Sequence, residues 1–217
     1  MIIIEVGAHY SPELQNLIKD EENQCFFIEA LPTHIPILRH RLQEKFGDAQ
    51  NYKIVQGVLH TEGTVVELFY DAEQRSNRGA SIYKNPTVQH HEKALHKDSI
   101  YVAGFTLEML ISQLNLEAID ILRFNIEGSE FPVLENYEFR IRPRIIMVAP
   151  HQIEGVEEPY IKMRDILESK GYELLFAAGW SQEPEDQAEK DAYLRNLGIQ
   201  DSTLRHSDMI FLDRGEK

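Results

Sequence analysis

The sequence predicts an α/β protein built on a mostly parallel sheet with helices on both faces. Two observations predict it. Short apolar runs alternate with amphipathic stretches through most of the 217 residues, the pattern of parallel strands joined by crossover helices. The last two apolar runs lack a helix-length connector of clear periodicity, so the sheet is expected to end antiparallel.

The elements follow in order. Ile2–Val6 is short, β-branched and followed by Gly7, a buried strand. Ser11, Pro12 and Glu13 supply a cap, a proline and a first-turn acid, which predicts a helix to about Lys19. Gln24–Glu29 is a second strand ending in an acid. A helix starts at Thr33, with Ile35, Leu38, Leu42 and Phe46 on one face and Gly47 as its stop. A third strand spans 52–59. Glu62 and Gly63 turn the chain into a strand over 64–70. Residues 71–98 are a polar insertion, and insertions of that length tend to be functional or mobile. Order returns over 99–104, and Thr106 caps a helix through Leu114. A strand over 119–126 leads to a helix begun by Ser129 and Glu130. A strand over 144–148, a helix over 159–170 stopped by Gly171, and strands over 172–177 and 208–212 complete the pattern. An acidic connection, 181–207, precedes the last strand. No repeat and no shift in composition marks a boundary, so residues 1–217 are expected to be one domain.

Composition narrows the function. Lys plus Arg is 22 and Asp plus Glu is 36, a net charge of −14. So acidic a surface repels phosphate backbones, which argues against nucleic acid or an anionic membrane as partner. Cys25 is the one cysteine, so no intrachain disulfide forms and a reducing compartment fits. It reads as a small core residue. No apolar run reaches the roughly 20 residues of a membrane helix. Residues 1–5 have no basic start and too short an apolar stretch for a signal peptide. A cytoplasmic location is expected.

In an open α/β sheet, ligands bind at the carboxyl ends of the strands. That rule selects residues 5–11, 29–32, 125–130 and 149–151. Gly7 and Ala8 let a ligand approach the backbone. Glu29 is placed to accept ribose hydroxyls in charge-assisted hydrogen bonds. Gly7 is followed by Ala8, His9, Tyr10 and Ser11, so the G-x-G-x-x-G of a dinucleotide fold is absent. A nucleoside cofactor without a pyrophosphate fits this pattern better than a nicotinamide dinucleotide, which is the less favoured, oxidoreductase alternative.

Ile4-Glu5-Val6-Gly7-Ala8-His9 resembles the first motif of FkbM-type methyltransferases. Phe27-Ile28-Glu29-Ala30-Leu31-Pro32 resembles their second. Leu122-Arg123-Phe124-Asn125-Ile126-Glu127-Gly128-Ser129-Glu130, continued by Pro132-Val133-Leu134, resembles their most distinctive one. Gly57-Val58-Leu59 with Gly63-Thr64-Val65 is similar to the family's third strand and hairpin, and Thr106-Leu107 to its next helix start. The likeness covers residues 3 to about 151. It implies a Rossmann-like class I methyltransferase fold with a seven-stranded sheet. It also implies S-adenosylmethionine as cofactor and O-methylation of a small polar or carbohydrate-like acceptor.

By that resemblance, Glu5, Gly7, Ala8, His9 and Asn125 lie at the cofactor, Glu29 and Ala30 at its ribose, and Gly57 and Val58 at the adenine edge. Methyl transfer to a hydroxyl needs in-line placement and removal of a proton. Glu127, Glu130 and His151 are the candidates for that role. Three positions depart from the family pattern: Asn125 stands for an aspartate, Ser11 for a second glycine and Ala149 for a glutamate. Asn125 and Ala149 motivate an alternative reading, a nucleoside- or cofactor-binding protein of the same fold with impaired catalysis. The insertion carries Arg75, Arg78, Tyr83 and Lys84, and is expected to cover the acceptor opening and to attract an acidic or phosphorylated acceptor. His90, His91 and His96 read as solvated loop residues, not metal ligands. Trp180 reads as a packing anchor.

Overall fold

The computed structural model describes residues 1–73, 79–84, 96–151, 156, 158–177, 195–196 and 209–215. The chain runs β1 (Ile2–Val6), β2 (Gln24–Glu29), α1 (His34–Phe46), β3 (Tyr52–Gln56), β4 (Val58–Leu59), β5 (Val65–Tyr70) and β6 (Asp98–Phe105). It continues through α2 (Leu107–Leu114), β7 (Ile121–Phe124), α3 (Glu130–Asn136), β8 (Ile145–Val148), α4 (Pro159–Ser169), β9 (Tyr172–Ala177) and β10 (Met209–Asp213). Seven strands form one sheet in the order β3-β2-β1-β7-β8-β10-β9. Neighbours from β3 to β8 are parallel, and β10 runs antiparallel to both β8 and β9. This is the α/β arrangement with an antiparallel end that the sequence predicts.

Alternation along each strand builds two cores. Ile4, Val6, Ile28, Phe124 and Val148 face one side, under Leu110, Phe131, Leu134, Met163 and Leu167 of α2, α3 and α4. Ile3, Phe27, Ile121, Met147 and Ile210 face the other, under Leu14, Leu17, Leu38 and Leu42. Each fully buried aliphatic or aromatic side chain contributes about 1.5–3 kcal/mol. Cys25 belongs to the second core, and burial pushes its thiol up to about 12. The strand order reverses between β1 and β7, which opens a crevice at their carboxyl ends. Among the described residues no helix is long and apolar enough to cross a membrane.

Three expectations change. The helix over 11–19 is only a 3-10 helix over Gln15–Lys19. The amides of Glu13 and Leu14 donate to the Glu5 carboxylate at 2.8 and 2.9 Å, which draws the segment down onto β1. The strand over 52–59 breaks at Gly57, whose φ is +150°. A Cβ there would meet the Phe105 ring at 2.4 Å and the Ala103 carbonyl oxygen at 2.9 Å, so the chain turns where only glycine fits. The piece beyond it, β4, joins β6 and β5 in a small separate sheet. Within the insertion, residues 79–84 fold back onto that sheet: Phe69 and Ser81 exchange backbone hydrogen bonds of 2.8 and 3.0 Å. His96 is buried, not solvated, with Nε2 2.6 Å from the Gly79 carbonyl oxygen. Arg75, Arg78, His90, His91, Trp180 and nearly all of 181–207 lie outside the described residues.

Asp213 ends β10, which lies between β8 and the edge strand β9. Its carboxylate takes a forked grip from Arg142, with Nη2 at 2.7 Å and Nε at 3.0 Å. The guanidinium hydrogen bonds hold the Asp213 carboxyl below its ordinary value. A depressed folded pKa stabilises above the unfolded value and loses that contribution as pH falls through the folded one. Asp213→Asn should therefore lower the unfolding midpoint at neutral pH, and parent and variant should converge once pH drops below the usual carboxylate range. Thermal melts across that range check it; a gap that stays constant with pH would assign the loss to packing.

Candidate active site

The crevice between β1 and β7 is a pocket walled by the carboxyl ends of β1, β2 and β7, by the break after β3, and by residues 80–82 of the insertion. Gly7, His9, Glu29, Ala30, Gly57, Val58, Asn125 and Glu127 all line it. Seven of the nine residues expected at the cofactor are thus brought together. Glu5 and Ala8 are not, because they point to the opposite face of the sheet.

Glu5 is 1% exposed. Besides the two amides of the following turn, it meets Nη1 of Arg123, its register neighbour on β7, at 3.4 Å. Burial pushes its carboxyl up, and the Arg123 charge and those amides oppose the rise. Its work is to anchor the segment after β1. Ala8 packs with Leu14 and Leu17 in the second core.

At the end of β1, the amides of Gly7 and Ala8 both donate to the Ile28 carbonyl at 3.0 Å. His9 then takes a left-handed conformation, φ +54°, uncommon for a residue with a side chain. Its amide donates to Oε2 of Glu29 at 2.6 Å. Oε1 of Glu29 accepts from the Leu31 amide at 2.9 Å and lies 3.2 Å from Nδ1 of His34. Glu29 is 6% exposed, an acid fixed at the pocket wall.

At the end of β7, Asn125 presents a buried amide oxygen with no hydrogen-bond partner among the described residues. A buried acceptor without a donor is costly unless a ligand supplies one. An amine or ammonium group bound at this wall fits it. The next turn is strained: Glu127 has φ +54° and Gly128 φ +104°. Glu130, fully buried, holds that turn by accepting the amides of Ile126 at 2.8 Å and Gly128 at 2.7 Å. Its Oε1 also lies 3.1 Å from Nδ1 of His151. On the other side of the imidazole, Nε2 is 3.5 Å from Oε2 of Glu127. The three expected catalytic residues therefore form one chain, Glu127–His151–Glu130.

The insertion adds what the sequence concealed. Ala80, Ser81 and Ile82 line the pocket, and Ser81 Oγ donates to the Glu127 carbonyl at 2.9 Å. Burial raises the Tyr83 phenol, and the Glu130 and Glu135 carboxylates raise it further. Of the cations expected to give the insertion a positive field, Arg75 and Arg78 lie outside the described residues. His34 is another pocket residue that sequence reasoning missed. Its one signal is its place five residues after Glu29, in the first turn of α1.

A doubly wound sheet with this strand order, closed by an antiparallel strand, is the Rossmann-like class I methyltransferase fold. Residues 5–174 match the methyltransferase FkbM domain family. The chain belongs to that family. Among solved structures, it is similar to methyltransferase FkbM from Methylobacillus flagellatus KT, at 11% identity and a TM-score of 0.53, over 97% of this chain and 42% of that one. The chain thus spans about two fifths of that relative's length. Precorrin-6y C5,15-methyltransferase from Geobacter metallireducens GS-15 matches at 12% identity and a TM-score of 0.42, over 98% of this chain and 78% of that one. No curated protein sequence matches the chain.

Proposed function

We propose that this chain transfers a methyl group from S-adenosylmethionine to a hydroxyl oxygen of a small polar or carbohydrate-like acceptor. The observation that carries the reading is the Glu127–His151–Glu130 chain set beside a pocket that holds a buried acid and an orphaned acceptor. The cofactor, when bound, supplies an activated methyl group on a positively charged sulfur. Glu29 accepts its ribose, and the Asn125 oxygen accepts its ammonium group. Gly57 and Val58 border the adenine.

Glu127 is the pocket-facing carboxylate, so it takes the proton that the acceptor hydroxyl loses as its oxygen is methylated. His151 Nε2 stabilises that proton. Glu130 accepts from Nδ1 and so fixes the ring tautomer and its direction. Glu130 acts through His151 and the turn, as a positioning residue. Residues 1–217 act as one domain in the cytoplasm on this reading, with residues 79–84 roofing the cofactor.

Calorimetric titration with S-adenosylhomocysteine and NAD, side by side, tests it. S-adenosylhomocysteine should bind and NAD should not. Glu29→Ala should weaken that binding by about 2 kcal/mol, the scale of charge-assisted hydrogen bonds. NAD binding in its place would turn the reading to an oxidoreductase. Cofactor binding without transfer to any hydroxyl acceptor would favour the impaired-catalysis alternative, which Asn125 and Ala149 motivate.

A further inference from the structure

We infer that His34 is a positioning residue for cofactor recognition: it locks the Glu29 carboxylate in the one orientation that presents an acceptor site to a ribose hydroxyl. The inference rests on the ribose role proposed for Glu29 and adds a residue to it.

An ionised carboxylate offers about four lone-pair sites. Three of those on Glu29 face protein donors: the amides of His9 and Leu31, and Nδ1 of His34. His34 is the one side-chain donor among these three. The two amides come from separate turns and converge on different oxygens, so they fix the distance of the carboxylate from the backbone. The imidazole adds a third hold, on Oε1, against rotation of the carboxylate plane. Among the described residues one site, on Oε2, is left for a ligand, and both Glu29 and His34 line the pocket into which it opens.

The imidazole is itself held. It is 4% exposed. The His9 ring stands edge-on to it at 4.4 Å between centroids and the Tyr10 ring at 5.7 Å. The Arg41 guanidinium covers Tyr10 from outside at 4.4 Å. The His34 amide donates to the Leu31 carbonyl at 3.0 Å, which ties the ring's backbone to the same turn that supplies a Glu29 donor. A histidine engaged in this way is fixed before any ligand arrives. Binding then costs little reordering of the acid.

The test uses two ligands, S-adenosylhomocysteine and its 2′,3′-dideoxyribose analogue, titrated into the full chain. The parent should prefer the natural ligand. His34→Phe keeps a ring against His9 and Tyr10 but has no donor, and should weaken S-adenosylhomocysteine about tenfold, the scale of one hydrogen bond to a charged group. The dideoxy analogue should bind the variant and the parent within about twofold on the same scale. His34→Asn places an amide nitrogen near the position of Nδ1 and should restore most of the preference. If His34→Phe weakens both ligands alike, or keeps the parent's preference, His34 is only a packing residue and the inference fails. If the parent itself binds both ligands equally, the ribose role of Glu29 fails, and this inference with it.

Discussion

Glu127→Gln should lower methyl transfer about a hundredfold or more while leaving S-adenosylhomocysteine affinity within about twofold, since general-base removal typically costs two to four orders of magnitude. Glutamine has nearly the shape of glutamate and can still reach His151 across the 3.5 Å contact. It cannot take a proton. The backbone at 127 stays left-handed in both, because Glu130 still holds the Ile126 and Gly128 amides and Ser81 still donates to the 127 carbonyl. The variant therefore isolates the proton acceptor from the turn that carries it. Formation of S-adenosylhomocysteine with a hydroxyl acceptor is the readout, beside a binding titration. His151→Asn should lose less, because the carboxylate remains, and should change the pH profile of transfer. Equal rates for Glu127→Gln and parent would make Glu127 a structural acid in the turn before α3.

The strands and their carboxyl ends were legible because burial on both faces writes the central ones as mostly apolar runs, broken only by Glu5 in β1 and Arg123 in β7, and a polar residue directly after such a run marks the sheet edge. That is how Gly7, Glu29 and Asn125 could be placed at one crevice from sequence alone. Glu5 shows the limit. It sits next to the crevice in sequence, yet successive strand residues face opposite sides, and Val6 takes the pocket side. Reading that alternation through to the strand end would have put Glu5 on the far face. Gly57 shows another limit. A glycine inside a strand pattern hints at a bend, but the Phe105 ring that forbids a side chain there comes from a strand far along the chain. Ser81 and His34 had no periodic signal at all. Their places depend on a loop folding back on β5 and on a turn between β2 and α1. Such contacts appear only once the fold has closed.

Gly7→Ala should destabilise the protein severely and disturb the cofactor site with it. Gly7 has φ +79°, which already disfavours any side chain. A Cβ at that position would lie 1.9 Å from the carbonyl oxygen of Asn125 and 2.8 Å from its carbonyl carbon. Neither atom belongs to a flexible side chain, so the clash cannot be relieved by a rotamer change. The turns after β1 and β7 would have to separate, although the Asn125 amide bonds the Val6 carbonyl at 3.0 Å directly between them. A loss of about 3 kcal/mol or more is expected, the range of severe backbone strain and overpacking. The same separation would move the Asn125 amide oxygen away from the wall formed by Gly7 and His9. Cofactor affinity should therefore fall further than the global destabilisation explains, even at temperatures where the variant remains folded. Denaturant unfolding and a titration with S-adenosylhomocysteine at low temperature separate the two effects. A variant as stable as the parent would show that the two turns are not packed as closely as these distances require. A destabilised variant that binds with parental affinity would place the cofactor away from the β1–β7 crevice.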